Sequence, residues 1–448
     1  MNHPENVSSA FNNLPMDYFV DKNPIKFRFY VLDDIVHAEK GGVRPYHDTD
    51  EPYIINLYKD IEKVAIYVHT PWCRSRCTYC YYHQTKVGEE SELRRLILAE
   101  QGHAMLLEEK IGLKSKRVPS IYFGGGTPTI LSDALLEENL SFYVGRYGGD
   151  GCEVCCEASP YTITSQKLDM MVQYVNRLSI GIQSFDNNLL KSIGRGAIDQ
   201  STEQLISKAV KQFPAVNIDL IYGLQTQTLE AWLCAVQKAI DLGVTSITAY
   251  RLELREDTPI LRSYIKKPEQ FPNEMMCRDM YLHAKDMLLK AGYRENLVGW
   301  FLLPQVADTQ VYRERWEKQT PCVAFGPDVH NYGADHFYDT LANQDAYIAA
   351  VNAGKLPIAC IGDVNDKKQL IWYALAQWKA NQPIYKDILQ KKFGADNLNW
   401  FLGLIQDHVK WQIIEVDEKI QLTEAARSML DWILGDIINF GLKNGQSA

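Results

Sequence analysis

Tyr67-Val-His-Thr-Pro-Trp-Cys73-Arg-Ser-Arg-Cys77-Thr-Tyr-Cys80 is the stretch that decides how this chain is read. The apolar run Val64–Val68 just before it reads as a strand, so the three cysteines fall on a short loop at that strand's carboxyl end. Outward from there the pattern alternates. Strand-like runs at Ser120–Phe123, Cys152–Ala158, Arg177–Ile182, Val216–Ile221 and Ser246–Leu254 are separated by helix-like segments over Glu92–Lys110, Asp133–Tyr147, Thr164–Tyr174, Thr202–Gln212 and Leu229–Leu242. Six such units mean an α/β fold with a parallel sheet, either a partial barrel or a doubly wound sheet. Both architectures place a ligand at the carboxyl ends of the strands, which is where the cysteines stand. After Phe271 the pattern reads as mostly helical. From about Asp366 it becomes helices, short strands at Lys410–Val416 and Lys419–Leu422, and a last amphipathic helix, a small α+β domain of winged-helix type. Three parts are expected: an N-terminal extension over residues 1–60 lying against the main domain, the α/β domain over 61–345, and the C-terminal domain over 346–448.

Composition narrows the class. A chain of 448 residues that is 46% hydrophobic and 23% charged can bury a large core. Its formal net charge of −9, with no run rich in Lys or Arg, argues against nucleic acid as a partner. No stretch approaches the roughly 18 uninterrupted apolar residues of a membrane span, and Met1 to Asn13 lacks the pattern of a signal peptide, so a cytoplasmic location is expected. Ten cysteines are too sparse for a disulfide scaffold in a chain this long. A tight cluster of three points instead to metal in a reducing compartment.

Three thiolates on one loop can ligate three irons of a [4Fe–4S] cube and leave the fourth iron open to a cofactor or substrate. Such clusters reach potentials of about −700 mV, low enough to reduce a sulfonium bound at the open iron. A structural zinc site needs four closed ligands, and only His69 or His83 stands near as a fourth. Cys152, Cys155 and Cys156 form a second knot. On a strand, however, Cys152 and Cys156 share one face and Cys155 the other, so they read as small buried hydrophobes.

Cys-x3-Cys-x2-Cys after a first strand resembles the cluster motif of the radical S-adenosylmethionine (SAM) superfamily. The Tyr67-to-Pro71 lead-in and Tyr79 before the third cysteine resemble the oxygen-independent coproporphyrinogen III oxidase family within it. The likeness runs from about Ile61 into the C-terminal domain. It implies a partial (β/α)6 barrel, a [4Fe–4S] cluster on Cys73, Cys77 and Cys80, and reductive cleavage of SAM to a 5′-deoxyadenosyl radical. It also implies roles for further residues. Phe123-Gly124-Gly125-Gly126-Thr127 would meet the methionine end of SAM, and Tyr67, Tyr79, Glu157, Arg177, Gln183 and Asp219 would complete the cofactor pocket. Tyr67, His69 and His330 are the candidates for catalysis. An electron donor such as flavodoxin or ferredoxin is the implied partner. Tyr67, Trp72, Tyr79, Tyr81 and Tyr82 would make an aromatic mouth for an adenine or a flat substrate.

Departures from the family pattern bear on the reaction. The decarboxylase has a further cysteine two places after the third, where this chain has Tyr82. The haem-chaperone branch carries a His-Asn-x-x-Tyr-Trp segment where this chain reads Val311-Tyr-Arg-Glu-Arg-Trp316. Gln225 stands where the family has Pro. The expectation is therefore a radical SAM oxidoreductase acting on a porphyrin-like or other substrate. The alternatives are a methyl-transferring or cyclopropane-forming enzyme that uses a second SAM, and a noncatalytic haem carrier.

Overall fold

The computed structural model describes residues 43–82, 85–255, 258–333 and 336–427, together with residues 430, 433, 434 and 437. His83, the first 42 residues of the expected extension, Met1 to Asn13 among them, and most of the expected last helix lie outside these residues. The described strands of the first two thirds are β1 (Val43–Pro45), β2 (Ala65–Thr70), β3 (Trp72–Cys73), β4 (Thr85–Lys86), β5 (Ser120–Gly125), β6 (Glu153–Ala158), β7 (Arg177–Gln183), β8 (Ala215–Tyr222) and β9 (Ser246–Arg251). Strands β2, β5, β6, β7, β8 and β9 lie side by side in that order and are parallel throughout. They are the six read from the sequence.

Their order settles which parallel architecture this is. A doubly wound sheet reverses direction at a switch point. Here each right-handed crossover steps the same way, so all the connecting helices fall on one face and the sheet curls around the other, as in a partial barrel. The two faces of each strand differ accordingly. Ile66, Ile121, Val154, Leu178, Val216 and Ile247 belong to the main core and are almost fully buried. Each such side chain contributes roughly 1.5–3 kcal/mol. The alternate residues are polar and face the inside of the curl: Tyr67, Tyr122, Cys155 and Arg177 in one layer, and Glu157, Ser179, Asn217 and Ser246 in the next. The helices start where short polar side chains cap them: Ser132, Thr164, Asp199 and Thr228 each accept a hydrogen bond from a first-turn N–H.

Beyond β9 the expectation of a mostly helical region is corrected. The helix Glu274–Lys290 is followed by six strands: β10 (Arg294–Leu297), β11 (Trp300–Leu302), β12 (Cys322–Phe325), β13 (His330–Tyr332), β14 (His336–Thr340) and β15 (Ile358–Asp363). They extend the sheet on both sides to the order β1-β15-β14-β13-β12-β2-β5-β6-β7-β8-β9-β11-β10. β9 pairs with β11, and β2 with β12, so the described sheet is open. These strands are short and antiparallel apart from β12, so none offers a long apolar run in sequence.

The expected boundaries shift with them. β15 carries the sheet past residue 345, and a second core begins at Val364. Within residues 43–60, β1 pairs with β15 and Ile54 and Tyr58 enter the main core. The C-terminal part has the expected α+β character. Helices Asp366–Lys379, Lys386–Phe393 and Ala395–Leu404 pack on a three-stranded sheet of β16 (Ile384–Tyr385), β18 (Lys419–Leu422) and β17 (Ile414–Val416). Its core also takes in Trp316, Leu297 and Phe337, and Tyr122 packs against it, so this part covers the inner side of the curl.

Candidate active site

At the carboxyl ends of the parallel strands lies a cleft of about 310 Å³, lined by Cys73, Cys77 and Cys80 together with residues from β5 to β9. The size is that of a small-molecule cofactor site. The cysteine loop is built locally. Cys80 N–H donates to Cys77 O at 3.1 Å, and Thr78 N–H ties the loop to Ile193 O at 3.0 Å. None of the three is in a disulfide. Cys73 Sγ lies 3.4 Å from Thr127 Oγ1, and Arg195 Nη1 donates to Cys77 Sγ at 3.5 Å. Burial pushes the Cys73 thiol up and that of Cys80 up to about 11.

Among the described residues, no three His, Cys, Asp or Glu side chains converge tightly enough to hold a single metal ion. That suits a four-iron cube, because each thiolate then takes a different iron and the sulfurs need not meet at one point.

The glycine loop follows β5. Gly125, Gly126 and Thr127 line the cleft, while Gly124 does not. The loop packs against the strand leading into the cysteines. A Cβ on Gly126 would stand 2.5 Å from Trp72 O and 2.9 Å from Thr70 O, and a Cβ on Gly125, at φ +110°, would run into the His69 ring. Glycine is thus required here for loop-on-loop packing as well as for approach to a ligand.

Glu157, Gln183 and Asp219 all reach the cleft. Glu157 accepts from Tyr122 Oη at 2.8 Å and from Gly125 N–H at 3.1 Å. Burial, aided by the Asp219 charge, raises its carboxyl to about 7 against these two hydrogen bonds. Asp219 is raised by burial to about 6, opposed by its hydrogen bonds from Asn217, Thr248 and Ser179. Gln183 sits at a bulge in β7 with φ +73°, and its Oε1 is buried with no hydrogen-bond partner among the described residues. A strained residue with an orphaned acceptor aimed into a cleft fits a ligand that supplies a donor. Three thiols, two buried carboxyls and an unpaired amide oxygen match what a cluster and a cationic, hydroxyl-bearing cofactor need.

Other expected residues are not brought to this cleft. Arg177 opens β7 rather than ending it, so it lies at the far end of the strand, packed beside Cys155 and Ala215. There it pairs at 3.7 Å with Asp308, and both side chains are buried. The arginines that line the cleft are Arg74, Arg195 and Arg251, and of these Arg195 donates to Gly181 O as well as to Cys77 and lies over the Tyr161 ring. Its place between Gly194 and Gly196, just after the fourth strand's helix, was the available signal. Tyr67 and His69 lie one level below: Tyr67 stacks on Tyr122 at 6.1 Å, and its hydroxyl meets His69 Nδ1 at 3.1 Å. His330, on β13, is part-exposed and pairs with Asp339 outside the cleft. Of the expected aromatic mouth, Tyr79, Tyr81 and Tyr82 line the cleft, whereas Trp72 is buried in the core. Cys155 and Cys156 are fully buried on opposite faces of β6, as packing thiols should be.

The sequence matches the family described as "Radical SAM superfamily" over residues 67–239. It is 30% identical over 263 residues to "Radical S-adenosyl methionine domain-containing protein 1, mitochondrial" of Bos taurus, covering 58% of each chain. It is also 30% identical over 243 residues to "Heme chaperone HemW" of Lactococcus lactis, covering 54% of this chain and 62% of that one. The match thus spans less than two thirds of either relative's length. The solved structure of coproporphyrinogen III oxidase from Escherichia coli shares the fold, with a TM-score of 0.74 at 18% identity over 87% of this chain and 93% of that one. A radical SAM domain implies a [4Fe–4S] cluster and SAM as cofactors. Residues 67–239, which carry the cysteine loop at the carboxyl end of the first parallel strand, thus form a radical SAM domain, and the chain is similar in sequence to haem chaperones and in fold to coproporphyrinogen III oxidase.

Proposed function

We propose that this protein is an enzyme that holds a [4Fe–4S] cluster on Cys73, Cys77 and Cys80 and cleaves SAM reductively in the adjoining cleft, acting on a porphyrin-like substrate. The observation that carries the reading is the convergence of the three thiols, Gly125–Thr127, Glu157, Gln183, Asp219 and Arg195 on one cleft at the carboxyl ends of the parallel strands. Held by the three cysteines, the cluster would supply the low-potential electron for reductive cleavage of SAM. The chain's own residues bind and orient. Glu157 and Asp219 would offer negative charge to the amine or ribose of SAM, Gln183 Oε1 would accept from a hydroxyl, and Arg195 donates to Cys77 Sγ. Tyr81 and Tyr82, stacked at 4.4 Å with Arg255 over Tyr81, form a flat shelf at the mouth. An external electron donor of the flavodoxin or ferredoxin type would reduce the cluster. No described helix is long and apolar enough to cross a membrane.

The likeness to proteins named as haem chaperones favours a second reading, a haem carrier. Titration with haem, run beside anaerobic turnover with coproporphyrinogen III as the probe, separates the two. An enzyme gives 5′-deoxyadenosine that rises with the probe. A stoichiometric haem complex with a shifted Soret band and no cleavage product would replace the enzymatic reading with the carrier.

A further inference from the structure

The inner face of the curl carries a run of buried hydrogen bonds that leads from the far end of the strands to the cleft. At its centre is Asn217 on β8, almost fully buried between Ser179 on β7 and Ser246 on β9. Asn217 and Asp219 stand two residues apart on one strand and so share a face. All four hydrogen-bonding positions of the Asn217 amide are used. Nδ2 donates to Asp219 Oδ1 at 2.8 Å and to Ser179 Oγ at 2.9 Å, while Oδ1 accepts from Ser246 Oγ at 2.8 Å and from Thr248 Oγ1 at 3.1 Å. Ser179 Oγ in turn donates to Asp219 Oδ2 at 3.4 Å. At the other end, Arg177 Nη2 donates to Ser246 Oγ at 3.4 Å, and the guanidinium pairs with Asp308.

The chemistry of the two ends gives this chain one direction. A guanidinium only donates and a carboxylate only accepts. Ser246 therefore takes its bond from Arg177 and gives its own proton to Asn217 Oδ1, which turns the amide so that Nδ2 faces Asp219. Flipped, the amide would set its oxygen against the carboxylate with no proton between them. Bonds aligned head to tail in a low-dielectric interior polarise and strengthen one another. The ionisable groups that act on Asp219 or sense its charge are Glu157 on β6, Tyr122 on β5, Tyr250 on β9 and Arg177 on β7.

We propose that Asn217 is a positioning residue of the SAM site: it fixes the Asp219 carboxylate toward the cleft, and is itself oriented from the far end of the strands by Arg177 through Ser246. Asp219 lines the cleft whereas Asn217 and Ser246 do not, so both act on the ligand through Asp219. Arg177, expected at the cofactor from its sequence position, reaches the site through these two side chains. A donor that favours the carboxylate form also keeps charge there for a cationic ligand. This rests on the reading of the cleft as a SAM site with Asp219 among its ligands.

The test follows two quantities in cluster-loaded, full-length protein. One is SAM affinity by equilibrium dialysis; the other is the titration of Asp219 by infrared difference spectroscopy, its carboxyl band being the one missing from Asp219→Asn. Burial raises Asp219 to about 6 against its hydrogen bonds, so loss of a donor must raise it further. Asn217→Ala should move the midpoint up by roughly one unit or more, the effect of one hydrogen bond to a charged group. The ionised fraction at pH 6 then falls about fivefold, and SAM should bind more weakly there by about that factor. Ser246→Ala keeps Asn217 but cuts it from Arg177, and should move both quantities the same way by less. A residue that only supports the fold would lower stability and leave the Asp219 midpoint where it was. Iron content and circular dichroism report folding, and if Asn217→Ala fails them, the same measurements on Ser246→Ala decide. An Asp219 midpoint unmoved by Asn217→Ala, SAM affinity unchanged at pH 6, or a Ser246→Ala protein indistinguishable from wild type would overturn the proposal. A wild type that binds no SAM, with Asp219 titrating as stated in both variants, would instead strike the SAM reading and leave the orientation of Asp219 by Asn217 standing.

Discussion

Replacing Glu157 with Gln isolates the group whose charge the cofactor needs. Burial holds this carboxyl at about 7 because the cleft favours its neutral form, with the Asp219 charge adding to the effect. A bound cation favours the ionised form, so SAM must expel the proton wherever Glu157 still carries it. The sign follows: affinity falls as pH drops through 7 and levels off above it. For one group titrating at 7, the ionised fraction is about ten times larger at pH 8 than at pH 6, so SAM should bind about tenfold more weakly at pH 6, roughly 1.4 kcal/mol. Glutamine keeps an acceptor for Gly125 N–H and a polar partner for Tyr122 Oη, so the local hydrogen bonds survive the change. The variant should lose about 1.5–3 kcal/mol of SAM affinity at pH 8, the worth of a hydrogen bond to a charged group, and should show little further loss at pH 6. Equilibrium dialysis of labelled SAM against cluster-loaded protein measures both slopes. A variant with the wild-type pH slope, or a wild type with none between pH 6 and 8, would refute this role for Glu157.

Asp219→Asn should move the wild-type midpoint downward, since the Asp219 charge is part of what raises Glu157; the same dialysis series reads it. Arg177→Ala should destabilise the fold by about 3–5 kcal/mol by stranding the buried Asp308, whereas Arg195→Ala should act on SAM binding and the cluster's spectrum; denaturant melts beside SAM titrations separate them. Gly126→Ala should lower iron occupancy by pushing the Thr70–Trp72 segment that leads into Cys73, an effect read by iron and sulfide analysis. If the chain transfers methyl groups from a second SAM, turnover must yield S-adenosylhomocysteine beside 5′-deoxyadenosine; chromatography of the quenched reaction showing only the latter during substrate turnover removes that alternative.

The parallel half of the fold was legible because each strand carries a run of apolar residues on its helix-facing side and is followed by a capped helix of ordinary length. The antiparallel extensions were not, since strands such as Trp300–Leu302 and His330–Tyr332 are three residues long and owe their conformation to neighbours in the sheet. The same division holds at the site. The cysteine loop and the glycine loop are each one continuous stretch of sequence, so each is legible by itself, and the pairing of β2 with β5 brings the two together. Arg177 carried the family pattern by sequence position, yet β7 is seven residues long, and at about 3.3 Å per residue its first and last side chains stand roughly 20 Å apart. The rule that ligands sit at carboxyl ends would have directed attention past the strand, toward Arg195.

The central claim is that the three-cysteine loop and the cleft beside it form a SAM-cleaving centre, and the most direct measurement is 5′-deoxyadenosine released from SAM by anaerobically reconstituted, dithionite-reduced protein. The wild type should produce it, and protein with Cys73, Cys77 and Cys80 replaced by Ala should bind no cluster and produce none. A wild type that carries a full cluster and binds SAM yet releases no 5′-deoxyadenosine with any acidic tetrapyrrole present, or a triple variant that still cleaves SAM, would contradict it.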